Sequence, residues 1–94
     1  MQSSDVISEI EGIVKSQTEG VYSKWMIGRT NDVEESKIQR GEPDSWRYWD
    51  VDSVESAKEV EAYLVDKGIR QDAEGYGGAD FVYIFYIGSP QENR

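Results

Sequence analysis

The sequence predicts a small α+β domain: a mainly antiparallel, three-stranded sheet flanked by helices. Three observations carry this. Apolar residues recur at helical spacing in two segments, and β-favouring aromatic runs fill three others. The chain of 94 residues is also one domain's length. Three strands cannot bury three Trp, six Tyr and two Phe unless helices pack against them, so both element types must share one core. Residues 1–88 are assigned to that domain, and the polar stretch 89–94 is expected to be a disordered tail.

Ser3 and Ser4 are suited to cap a first helix, and Asp5 suits the positive end of its dipole. Val6, Ile7, Ile10, Ile13 and Val14 then form one apolar stripe, which should fray before Gly20. Residues 21–30 read as a strand, with Val21, Tyr22, Trp25, Met26 and Ile27 supplying β-favouring bulk. Asn31 or Asp32 can cap a short second helix that carries only Val33 and Ile38 as apolar surface and stops at Gly41, before Pro43.

Residues 45–51 form the next strand, with an aromatic on each face. Asp52 and Ser53 start the clearest helix, which Gly68 ends as a left-handed cap. The loop Gly75-Tyr76-Gly77-Gly78 is read as a turn with positive φ angles. It leads into no helix and lacks the lysine of a phosphate-binding loop. Residues 81–87 are apolar or aromatic throughout, as in a strand covered on both sides.

One residue of the third helix is out of place. At about 100° per residue, Val54, Ala57, Val60, Leu64 and Val65 form a continuous apolar arc, and Glu61 falls inside it. Its other acids, Glu55, Glu59 and Asp66, lie on the opposite face. A carboxylate on a core-facing stripe must be paired, hydrogen-bonded, metal-bound or marginal. Arg29 and Arg47 are the candidate ion-pair partners. The alternative is a divalent cation, Mg²⁺ or Mn²⁺, because hard cations take carboxylate oxygen. Asp50 and Asp52 are then candidates to join Glu61.

Composition bounds the function. Nineteen acidic against ten basic residues give a net charge of −9, which disfavours nucleic acid and anionic membrane as partners and leaves a protein partner as the expectation. With no cysteine and no histidine, thiolate chemistry and the usual neutral-pH base are excluded. No apolar run reaches membrane-spanning length, and no secretory signal is recognisable, so a cytoplasmic location is expected.

Met26-Ile27-Gly28-Arg29-Thr30-Asn31-Asp32-Val33 resembles the second-motif strand of the GIY-YIG endonuclease superfamily and the turn into its first helix. Trp46 to Asp52, followed by Ala57 and Glu61, resembles that family's later strand and the helix bearing its metal-binding glutamate. The likeness covers about half the chain, residues 25–68. It implies a GIY-YIG-like fold and makes Glu61 the metal ligand.

The departures from the family fall on its chemistry. Met26 stands where the family has its second tyrosine, and Glu35 and Ser36 stand where its arginine lies. Gly20-Val21-Tyr22 sits too close to Met26 to be the family's first strand. Tyr86-Ile87-Gly88 spells the motif with no helix after it. Residues 81–87 are therefore expected to pair with the 21–30 strand, in the place of the missing first strand.

No catalytic residue is assigned, since loss of the phosphate-binding cation removes transition-state electrostatics. The leading expectation is a non-catalytic binding or regulatory domain. Its candidate surface is Trp25, Arg29, Trp46 and Trp49, provided two of the rings share an exposed face. The alternatives are a metal-dependent nuclease with rearranged residues, and an acidic DNA mimic or neutraliser of a basic partner.

Overall fold

The described residues of the computed structural model are 2–43, 45–72 and 80–88. Along them run α1 (Ser3–Thr18), a 3-10 turn (Tyr22–Lys24), β1 (Trp25–Thr30), α2 (Val33–Gln39), β2 (Arg47–Asp50), α3 (Val54–Lys67), β3 (Arg70–Gln71) and β4 (Phe81–Tyr86). The glycine-containing loop 75–78 and the tail 89–94 lie outside the described residues.

The helix ends show which capping chemistry operates. Ser53 is the N-cap of α3 and its hydroxyl accepts the Ser56 N–H at 3.1 Å, while Gly68 closes the helix at φ 117°. Asp32 caps α2 through the Glu35 N–H at 3.0 Å. The cap of α1 differs from expectation, because Gln2 occupies it without a side-chain bond. Ser3 instead donates to Glu59 Oε1 of α3 at 2.9 Å. The other end of α1 turns through Glu19 at φ 56° and Gly20 at φ 85°, and the Gly20 N–H returns to the Val14 carbonyl at 3.1 Å.

The sheet runs β2-β4-β1-β3, with β4 antiparallel to both β2 and β1. It is mostly antiparallel, as expected, but has four strands rather than three. The extra one, β3, pairs parallel to β1 through Met26–Arg70 and Ile27–Gln71. The first strand begins at Trp25 rather than residue 21 because the 3-10 turn takes up Tyr22–Lys24. The pairing of β4 with β1 is seen over six residue pairs, from Trp25–Tyr86 to Thr30–Phe81.

Alternation divides the sheet into two faces. Trp25 and Ile27 of β1, Trp49 of β2, and Val82 and Ile84 of β4 meet Val6, Ile10 and Val14 of α1 and Ala57, Val60 and Leu64 of α3 in one core. Both buried indoles are satisfied there, Trp25 Nε1 by Thr18 Oγ1 at 3.0 Å and Trp49 Nε1 by Glu9 Oε1 at 2.8 Å.

The opposite face carries Met26, Gly28 and Thr30 of β1, Tyr48 of β2, and Phe81, Tyr83 and Phe85 of β4, with α2 beside it. That helix is held by polar contacts. Ser36, its only buried residue, bonds Thr30 at 2.7 Å, while Ile38 is 63% exposed. Among the described residues no helix is long and apolar enough to cross a membrane.

Candidate functional site

Arg29 follows Gly28 on β1 with the parity of Trp25 and Ile27, which aims it at the face covered by α3. Glu61 sits on the buried arc of α3 beside Ala57 and Leu64. The two meet through Arg29 Nε and Glu61 Oε1 at 2.8 Å, with side chains 14% and 6% exposed. Of the two candidate partners Arg29 is therefore the one engaged, while Arg47 lies exposed on the edge strand. The compensation is incomplete: Arg29 Nη1 and Glu61 Oε2 are buried without a hydrogen-bond partner.

That geometry does not fit a divalent cation. The guanidinium already occupies one carboxylate oxygen and brings its own positive charge to the place a cation would take. Among the described residues no three or more carboxylates are grouped to hold a metal ion, so Asp50 and Asp52 do not join Glu61. Glu61 also borders an open groove with Lys58, Asp66 and Gln71.

A second constellation, not anticipated from the sequence, lies on the other face. Tyr83 stands opposite Gly28. Its hydroxyl donates to Asp72 Oδ2 at 2.6 Å, and Arg40 Nε donates to the same oxygen at 2.5 Å. The Arg40 guanidinium lies 5.4 Å from the Tyr83 ring centre. Trp46 stacks on Tyr83 with centroids 4.6 Å apart and on Phe85 at 5.7 Å.

Burial and the bond to Asp72 push the Tyr83 hydroxyl far above its ordinary pKa, so it stays protonated. This network ties α2, the residue after β3 and the centre of β4 together. The signals available in sequence were a hydroxyl in the middle of an apolar run and a glycine in the neighbouring strand.

The candidate surface residues are not gathered in one place. Trp25 is fully buried and Trp49 is 7% exposed, both in the helix-covered core, and Arg29 is spent on Glu61. Only Trp46, partly exposed, reaches the far face. Beside it lies an aromatic pair at the sheet edge, Tyr48 (54% exposed) in edge contact with Phe81 at 6.0 Å.

Comparison of the chain with protein-family models, curated proteins and solved structures finds no match. The described residues form a small α+β domain with a four-stranded mixed sheet, helix-covered on one face and aromatic on the other.

Proposed function

We propose that this chain is a non-catalytic binding domain for a protein partner, on a scaffold similar to that of the GIY-YIG superfamily. The observation that carries the reading is the Arg29–Glu61 pair. The carboxylate that the family resemblance makes a metal ligand is here committed to a guanidinium at 2.8 Å in a buried setting. In that role Glu61 fastens α3 to β1 instead of presenting charge to a reacting phosphate. A net charge of −9 favours a protein over nucleic acid as the partner.

The test is a titration of the isotopically labelled protein with Mn²⁺, paired with a cleavage assay on DNA and RNA in Mg²⁺ and Mn²⁺. Broadening spread over the exposed acids, with no cleavage, is the expected result. Broadening centred on Glu61 and Gly28, together with cleavage that disappears in Glu61→Gln, would replace this reading with a metal-dependent nuclease.

A further inference from the structure

We propose that the chain pairs with a second copy of itself through the open edge of β2, in an antiparallel twofold contact that joins two four-stranded sheets into one. The contact goes beyond the binding reading above and does not rest on it. Among the described residues β2 pairs only with β4, without a bulge, and Arg47–Asp50 contains no proline. Such an edge is a template for another strand.

Backbone polarity limits the register. The Val51 N–H bonds the Asp80 carbonyl at 3.1 Å, and residues 51 and 80 continue the β2–β4 pairing. Ladder bonds alternate sides along an antiparallel strand. Arg47 and Trp49 therefore turn their N–H and C=O groups to β4, while Tyr48 turns its own outward. Across a twofold axis outward groups must meet outward groups, so the register can slide only in steps of two residues.

Side-chain charge picks one step. On the helix-covered face Trp49 donates its indole N–H to Glu9 Oε1 at 2.8 Å. Glu9 is exposed, and its other oxygen is left for a cation. Arg47 shares that face by alternation, is exposed and makes no ion pair among the described residues. With Tyr48 opposite the second copy's Tyr48, Arg47 stands opposite the second copy's Trp49 in the close, non-hydrogen-bonded kind of pair.

The Arg47 guanidinium then lies beside the second copy's Glu9, and symmetry makes the same ion pair twice. A slide of two residues one way sets Arg47 against Arg47. The other way sets it against Val51, past the carboxylate. On the opposite face the two Tyr48 rings, each 54% exposed in the single chain, become cross-strand neighbours. A foreign strand could take the edge bonds but brings no carboxylate held above its neighbour's indole, and this selects a second copy. The contact is short and two chains of net charge −9 repel, so it belongs with the weak interfaces, below about 1,200 Å².

Sedimentation equilibrium of the full chain at physiological ionic strength, over roughly 10 μM to 1 mM, reads the association. A monomer–dimer equilibrium is expected. Arg47→Glu and Glu9→Lys should each weaken it about tenfold, by opposing like charges twice. Mixed together, the two variants should associate to within a few-fold of the wild type, because the mixed dimer restores both ion pairs. Tyr48→Pro should abolish the dimer and spare the fold, since the N–H it removes faces outward. Amide spectra of the isotopically labelled variants would verify that each is folded.

A chain that stays monomeric throughout would overturn the proposal, including one whose edge fills only with an added strand-forming peptide. So would a dimer unmoved by Tyr48→Pro, or charge-reversed variants that stay apart when mixed. The Mn²⁺ titration is unaffected by any of these results.

Discussion

Tyr83 and Gly28 face each other across the β1–β4 ladder, and the tyrosine ring lies in the space a side chain on Gly28 would fill. A Cβ placed there would run into the Tyr83 hydroxyl, Cζ and Cε1. The glycine that the family resemblance reads as part of a motif thus has a physical reason of its own. Gly28→Ala should destabilise the fold by about 1–3 kcal/mol through overpacking, read as a lower urea midpoint with an unchanged slope. Alanine tolerated at wild-type stability would mean that the ring is not held down on β1.

The hydroxyl of Tyr83 is itself a stability element. Tyr83→Phe should cost about 1–2 kcal/mol by removing the bond to Asp72. Its raised pKa adds a pH signature. The folded protein holds this proton more tightly than the unfolded chain, whose tyrosine titrates near pH 10. The contribution is therefore complete below about pH 10 and declines above it. Denaturation followed from pH 8 to 11.5 should show that decline in the wild type, with a shallower one in Tyr83→Phe.

Arg29 and Glu61 form a pair whose removal should depend strongly on how it is done. Glu61→Leu alone strands a buried guanidinium and should cost about 3–5 kcal/mol. The double variant Arg29→Met with Glu61→Leu should recover most of that loss, because the native pair leaves Nη1 and Oε2 unsatisfied. A double-mutant cycle by chemical denaturation measures the coupling. Equal losses in the single and double variants would mean that the two groups do not depend on one another.

Ser53 holds the start of α3 through the Ser56 N–H. Ser53→Ala should cost about 1 kcal/mol and Ser53→Asp almost nothing, since aspartate accepts the same bond. Thermal melts of the two variants side by side would separate the cap from any packing role of the residue.

Much of the frame was legible because its signals are local. The stripe of α1, the Ser53 and Gly68 caps of α3, the Asp32 cap of α2 and the apolar run of β4 each follow from a few neighbouring residues. Glu61 was legible too, as an acid inside an apolar arc that needs compensation, with Arg29 one of two candidate partners and a metal ion the alternative; the choice of Arg29 came from the structure.

What was missed depends on residues far apart in the chain. The strand β3 consists of Arg70 and Gln71, which carry no apolar alternation, and only its neighbour β1 makes it a strand. The Arg40–Asp72–Tyr83 network joins three elements whose proximity the strand order creates. The tryptophans were ambiguous as a set, yet parity holds the answer for two of them. Trp46 and Trp49, three residues apart on an extended chain, cannot share a face.

The place of β4 has a consequence for how the protein is made. Among the described residues it is the last strand in sequence order, yet it sits between β1 and β2, which are joined to each other only through it. A nascent chain extended as far as residue 80 holds β2 on one side and the β1–β3 pair on the other with no strand to join them, and the face of α1 and α3 meant for Val82 and Ile84 stays open. Assembly must wait for synthesis to pass Tyr86. The domain cannot be laid down piecemeal from its N-terminus, and an interrupted polypeptide leaves a sticky, half-built product for quality control to remove.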